Sequence, residues 1–329
     1  MQKDNKMRAL ITYEEASGYK RQIEKLDIPK LAVGEILIKA QYSSLNYKDA
    51  LSASGHKGIT RTYPHIAGID VAGTVKESKS SDWQKGDEVI CTGFDLGMNI
   101  NGGFAEYVAV PGNWCLKRPK DLSLKETMIF GTAGLTAALS ALNIINHDLL
   151  PEGNKILITG ATGGVGLLSA LLMHKLGFMV TATTRNPKNS FLKSYKFANV
   201  IATDSLNTSS NKPLNQRQYN AAIDTLGGNI LSNILKIIDY HGAVISCGNI
   251  LGNDFNTSVL PMILRGISLI GVTSANATMD NRKQAWQLLG QNKALINDSI
   301  YREIGLNELS EYIDNMLQGN HSKRTIIAF

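Results

Sequence analysis

The chain has 329 residues, enough for roughly two domains at about 150 residues each. Its 43% hydrophobic and 19% charged residues are globular values that exclude wholesale disorder. The net charge of +6 is spread along the chain without a basic block, which argues against a nucleic-acid module and points weakly to phosphate-bearing small molecules.

In chain order, Met1 to Lys6 read as a polar leader without an apolar signal core. Residues 7–127 look β-rich, with strand-like runs at Arg8–Thr12, Glu35–Gln41, Val71–Val75, Glu88–Thr92 and Glu106–Val110. Turn signals such as Val33-Gly34, Lys85-Gly86-Asp87 and Pro111-Gly112 separate them. From about residue 128 apolar strands alternate with helix-length segments. The candidate strands are Lys155–Gly160, Met179–Thr183, Ala221–Asp224, Ala243–Cys247 and Ser268–Val272, a pattern that predicts a doubly wound parallel sheet. The polar stretch Ser205–Gln218 reads as a surface loop. The tail carries two helical stretches, Asn281–Gly290 and Glu308–Leu317, and a final strand, Thr325–Phe329. No run of 18 apolar residues is apparent, so no membrane span is expected. Cys91, Cys115 and Cys247, odd in number and far apart in sequence, make a poor disulfide framework and suggest a reducing, cytoplasmic setting.

The sharpest local motif is Gly160-Ala161-Thr162-Gly163-Gly164-Val165-Gly166, after one predicted strand and opening a helix. Glycines permit the tight turn and let backbone N–H groups approach a pyrophosphate, toward which the helix N-terminus presents partial positive charge. The spacing departs from strict GxGxxG, so the flanking strand and helix carry the dinucleotide reading. The next strand ends in Thr183-Thr184-Arg185, where NAD sites usually place an acid for the ribose 2′-OH. Hydroxyls and a guanidinium suit a 2′-phosphate instead, which selects NADPH.

In the first domain, Ser43-Ser44-Leu45-Asn46-Tyr47-Lys48-Asp49-Ala50 precedes Tyr63-Pro64-His65-Ile66-Ala67-Gly68-Ile69-Asp70-Val71-Ala72-Gly73. Gly131-Thr132-Ala133-Gly134-Leu135-Thr136-Ala137 and Pro261-Met262-Ile263-Leu264-Arg265-Gly266 follow. In this order around the glycine loop, the segments resemble the medium-chain dehydrogenase/reductase superfamily. More narrowly they resemble the YhdH/YhfP-type quinone oxidoreductases, which include acryloyl-CoA reductases. The resemblance runs from Met7 to Arg324-Thr325. It implies an α/β protein with a GroES-like β-rich catalytic domain (1–127 and 268–329) and a Rossmann NADPH-binding domain (128–267). It also implies a homodimer, with the cofactor-domain sheets joined edge to edge through Ser268–Ser274.

Zinc-dependent relatives carry Cys at Asn46 and Gly-His-Glu at Gly68-Ile69-Asp70. His65 and Asp70 alone are too few ligands for a catalytic zinc, so metal-free chemistry is expected. A conjugated C=C is then the easier substrate. Hydride adds at the β-carbon, and the charge moved onto the carbonyl oxygen can be held by hydrogen bonds. The resemblance implies NADPH-dependent reduction of enoyl thioesters such as acryloyl-CoA. The alternatives are an NADPH:quinone or enone reductase and a non-catalytic NADPH-binding protein. Retention of Asn46-Tyr47-Lys48-Asp49 argues against the last, since NADPH binding needs only the second domain.

By resemblance Tyr47 borders the nicotinamide and either orients substrate or relays a proton, against the alternative of a packing tyrosine. Asn46 holds backbone or the substrate carbonyl, and Asp49 reads as a helix cap more readily than as an acid. The resemblance places Thr162, Gly163, Gly164 and Val165 on the pyrophosphate, and Thr183, Thr184 and Arg185 on the 2′-phosphate. It puts Asn249, Ile263, Ser274 and Asn320 near the cofactor. The tail Gly319-Asn320-His321-Ser322-Lys323-Arg324 departs from the usual Gly-Arg-Thr ending and leaves Asn320 the weakest of these. Ile263 has a plain core reading, and Arg265 either meets a ligand phosphate or points to solvent.

Overall fold

Two chain textures become two kinds of sheet. The computed structural model describes residues 6–188, 190–207 and 212–329. It divides into one unit of residues up to Thr132 with Ala275–Thr278 and Ile296–Phe329, and a second of Ala133–Ser274 with Met279–Leu295.

In the first unit, seven strands form a sheet in which Glu35–Leu45 is the organising member. On one side it pairs with Asp70–Ser78, followed by Glu88–Thr92 and Cys115–Lys117. On the other side it takes Tyr107–Pro111 along residues 35–39 and Arg324–Ala328 along residues 42–45, with Tyr301–Gly305 beyond. Alternate residues of these strands (Ile36, Ile38, Val71, Val75, Val89, Cys91) turn into one buried cluster, the period-2 pattern of a sheet with one covered face. Lys6–Glu15 and Gly18–Asp27 form a separate antiparallel hairpin. Its second strand gave no sequence signal because Gly-Tyr-Lys-Arg-Gln-Ile-Glu-Lys-Leu-Asp has few apolar residues and is mostly half-buried.

In the second unit, six strands run parallel in the order Asn199–Ala202, Met179–Thr184, Lys155–Ile158, Tyr219–Asp224, Ile238–Ser246, Ser268–Gly271. The order reverses between Lys155–Ile158 and Tyr219–Asp224. At such a switch point the loops beyond the carboxyl ends of the strands leave room for a ligand. Leu157, Ala222 and Val244 of the central strands pack on Ile230, Leu231, Ile234 and Leu235 of the helix Gly228–Leu235.

Two expectations are corrected, the boundary at residue 268 and the extent of the leader. The boundary at residue 268 falls too early: Ser268–Gly271 pairs in parallel with Ala243–Ser246 as the last strand of the second sheet, and the helix Met279–Gln291 also groups with the second unit. The helix Leu124–Ile145 is, by length and composition, apolar enough to cross a membrane. It is a core helix instead: 78% of its apolar window is buried, and Gly131 breaks it with φ 53° and ψ −155°. Lys6, assigned to the leader, begins the first strand. Residues 1–5 of that leader and 208–211 of the Ser205–Gln218 loop lie outside the described residues. Of that loop, Ser205 and Leu206 close a 3-10 turn, Thr203–Leu206.

Candidate active site

The strand Glu35–Leu45 ends at Asn46, whose extended backbone (φ −120°, ψ 159°) starts the short helix Tyr47–Ser52. A buried polar cluster fixes this corner. Asp49, in the helix's first turn, accepts the Asn46 backbone N–H at 2.8 Å and the Ile69 N–H at 2.8 Å. The Asn46 side-chain NH2 donates to Asp70 Oδ2 at 2.8 Å and to Asp49 Oδ2 at 3.1 Å. Its carbonyl oxygen accepts from Arg324 Nη1 at 3.2 Å. Asp70 further accepts from Ser44 Oγ (2.6 Å), Thr132 N–H (2.9 Å) and Thr132 Oγ1 (2.6 Å). Arg324 also donates to Ile129 O, Leu45 O and Ser44 Oγ.

All of these charged groups are buried. Burial raises the Asp49 pKa to about 7, with Asp70 adding to the rise and the N–H donors opposing it. Burial likewise lowers the Arg324 guanidinium, opposed by Asp70 and Asp49. Two carboxylates around one guanidinium are tolerable in so dry a place only because their lone pairs are filled.

Both Asn46 amide protons are thus spent inside the corner, which favours its reading as a holder of the strand-to-helix corner over that of a donor to the substrate carbonyl. Asp49 caps the helix as the sequence suggested. Tyr47 is the residue that leaves this corner for solvent, 43% exposed. Sequence reasoning missed Arg324, Ser44 and Thr132, and weighed Asp70 only as a metal ligand. The available signal was an acid retained at the end of Gly68-Ile69-Asp70 without the histidine before it. Among the described residues no group of three or more His, Cys, Asp or Glu could hold a metal ion.

The cysteines lie apart from this cluster. Cys91 and Cys115, distant in sequence, are buried cross-strand partners, and the Cys91 contact together with burial raises the Cys115 thiol. Burial, with Asp224 nearby, pushes Cys247 up to about 12. Neither Cys115 nor Cys247 is a nucleophile near neutrality.

In the second unit the loop Gly160–Gly163 follows the strand Lys155–Ile158 and opens the helix Gly164–Lys175. Gly166 makes the close approach: a Cβ there would lie 2.2 Å from the Gly160 carbonyl oxygen. Thr162, Gly163, Gly164 and Val165 remain partly or fully open to solvent. A tight glycine turn, free surface and a twelve-residue helix beginning at the loop fit a pyrophosphate. Below it Asp224 is fully buried and accepts from Thr159 Oγ1 (2.7 Å) and the Gly227 N–H (2.8 Å), which ties neighbouring strand ends together.

The remaining site residues scatter. Thr184 is buried and accepts the Asn186 N–H at 3.3 Å. Thr183 is fully buried with its hydroxyl 3.2 Å from that of Thr203, and Arg185 is exposed. Asn249 donates to Asn253. Ser274 receives the Thr136 hydroxyl at 2.8 Å. Asn320 is exposed and holds Gln318 at 3.3 Å. Ile263 is 67% exposed, which excludes its core reading. Arg265 meets neither a ligand phosphate nor solvent: it is buried and donates to the Lys236, Ile238 and Asn215 carbonyls.

These arrangements agree with what the chain resembles. Residues 32–120 match the alcohol dehydrogenase GroES-like domain and residues 164–291 the zinc-binding dehydrogenase domain. YhfP of Bacillus subtilis (strain 168), which bears a quinone oxidoreductase name, is 38% identical over 95% of both chains. The acrylyl-CoA reductase AcuI of Ruegeria pomeroyi is 31% identical over 95% of this chain and 96% of its own. The crystal structure of the YhdH oxidoreductase from Salmonella enterica in complex with NADP superimposes with a TM-score of 0.93, at 34% identity over 98% of this chain and 99% of that one. That of Bacillus subtilis YhfP, with NAD bound, gives the same TM-score at 36% identity and the same coverage. Built of a GroES-like unit and a Rossmann sheet, the chain is an oxidoreductase belonging to the YhfP, YhdH and AcuI family of the medium-chain dehydrogenase/reductase superfamily.

Proposed function

We propose that the protein is an NADPH-dependent reductase of activated C=C bonds that takes an enoyl thioester of the acrylyl-CoA type and works without a metal. The observation that carries this reading is the filled corner under Tyr47. Asn46, Asp49 and Asp70, at and beside the positions where metal-dependent relatives carry ligands, satisfy one another and Arg324. The exposed polar group left at that strand end is the Tyr47 phenol. A phenol can hold a developing enolate oxygen by hydrogen bonding or pass a proton, but it cannot polarise an unactivated ketone as a Lewis acid does.

When bound, the nicotinamide supplies hydride. The residues that would hold it are Thr162–Val165 on the pyrophosphate and Arg185 on the 2′-phosphate. The strand Met179–Thr184 has no acid at its end to claim a 2′-OH, which supports NADPH, and the NADP found in the Salmonella relative supports the same choice. The thioester carbonyl oxygen faces Tyr47 in this reading, and protonation at the α-carbon completes the reduction. A quinone substrate is the second reading, supported by the name of YhfP. We place the protein in the cytoplasm as a homodimer.

One assay series tests this. NADPH oxidation is followed with acrylyl-CoA, crotonyl-CoA and a benzoquinone, in the wild type and in Arg185→Ala. Turnover of an enoyl thioester is expected, with the NADPH KM of the variant raised at least tenfold and its NADH KM changed less than twofold. Turnover of the quinone alone would transfer the protein to the second reading, and equal KM changes would reject the Arg185 role.

A further inference from the structure

Arg324 and Asp70 come from strands separated by most of the chain, and neither side chain reaches solvent. Together they grip both ends of one amide. Arg324 Nη1 donates to Asn46 Oδ1 at 3.2 Å, and the Asn46 NH2 donates to Asp70 Oδ2 at 2.8 Å. The amide can adopt only one flip, because the reversed one would set NH2 against a guanidinium and carbonyl oxygen against a carboxylate. Arg324 also holds the carbonyl of Leu45 at 3.2 Å, and Asp49 holds the backbone N–H of Asn46. The carbonyl and the N–H of the peptide joining Leu45 to Asn46, one residue ahead of Tyr47, are thus both held.

We propose that Asp70 and Arg324 are positioning residues for Tyr47: through the Asn46 amide they fix the direction in which the phenol leaves the strand-to-helix corner. The proposal rests on the role given to Tyr47 above. The first turn of the six-residue helix Tyr47–Ser52 hangs on the Asn46 carbonyl, which accepts the Asp49 and Ala50 N–H groups. The cluster fixes Asn46 itself, and with it the start of that turn. Lysine at position 324 would keep the charge but lose the planar fork that reaches Ile129 O, Leu45 O, Asn46 Oδ1 and Ser44 Oγ together.

The test uses Asp70→Asn and Arg324→Lys in the full-length protein, with two readouts. In kinetics with the best substrate of the panel, each variant should lose at least tenfold in kcat while the NADPH KM changes less than twofold. In a Tyr47→Phe background the same substitutions should cost less than twofold. Equal losses in both backgrounds would overturn the proposal, since the network would then act without the phenol. The second readout needs no turnover: fluorotyrosine is placed at position 47 alone and its 19F resonance recorded. A narrow line in the parent that broadens or splits in both variants supports the positioning role, and an unchanged line in folded variants overturns it. Loss of the fold in both, seen by circular dichroism, also overturns it, because the cluster would then be structural only. Wild-type turnover by Tyr47→Phe would remove the phenol from the proposed chemistry, leaving the resonance to decide the positioning by itself.

Discussion

Asp49 shows how one carboxylate is made useful by being uncomfortable. Its oxygens accept two backbone N–H groups and the Asn46 amide, yet burial and Asp70 raise its pKa from 3.8 to about 7. An acid with a raised folded pKa adds stability that is fully present below the unfolded value and is lost as pH climbs through the folded one. Between pH 4 and 7 this group alone removes about 1.4 kcal/mol per pH unit. Urea unfolding of wild type and Asp49→Asn at pH 5 and pH 8 should therefore show the variant gaining roughly 2–3 kcal/mol on the wild type over that interval. Parallel pH dependences would refute the shift. The cap role of Asp49 was legible because an acid in a helix's first turn has a local meaning. The grip of Asp70 and Arg324 on the Asn46 amide was not, because spacing along the chain is silent about contacts of that range.

At the scale of elements, the glycine loop and its strand and helix were readable because strand, turn and helix follow one another directly. The break at Gly131 was not, since Gly131-Thr132-Ala133-Gly134 sits in an otherwise continuous helical pattern. A Cβ at residue 131 would lie 2.6 Å from Ser44 Oγ, 2.7 Å from Asp70 Oδ2 and 2.9 Å from Arg324 Nη2. Its φ of 53° with ψ of −155° is close to a region occupied almost solely by glycine. Gly131→Ala should cost about 3 kcal/mol or more in chemical denaturation, from backbone strain plus displacement of packed polar groups. A loss below about 1 kcal/mol, typical of an exposed helix position, would mean the helix can straighten there. The tail holds a related lesson. Lys323 adopts φ 68°, a conformation that the glycine of the usual Gly-Arg-Thr ending takes freely, and the strand Arg324–Ala328 still forms. The departure at that position did not displace the arginine.

At the scale of the molecule, alternating strands and helices revealed two sheets, and a missing acid after the second strand indicated the cofactor. The alternation of strands and helices already counted Ser268–Val272 with the parallel sheet, whereas the domain boundary implied by the resemblance cut it away at 268. It is the last strand of the parallel sheet, its Leu269 is exposed, and so are Ile263 and Leu264 of the helix just before it. An apolar strand at a sheet edge invites pairing, and a second copy of the chain is the occupant proposed here. Analytical ultracentrifugation should give a dimer for the wild type and a monomer for Leu269→Lys. A monomeric wild type would dismiss the pairing.

The route by which Arg324 reaches its partners has a consequence for synthesis. Its bond to Ser44 spans 280 residues, and the strand it belongs to completes the side of Glu35–Leu45 that residues 42–45 present. A ribosome adding about 5–20 residues per second takes roughly 15–60 s to make that stretch. Throughout that time the strand's inner half stands with unpaired N–H and carbonyl groups, and Asp70 waits without its cation. Most of the second unit emerges meanwhile and can fold ahead of the first. The nascent chain thus carries an open sheet edge for most of its manufacture, and this half-built first unit, rather than the Rossmann sheet, is where chaperone engagement should concentrate.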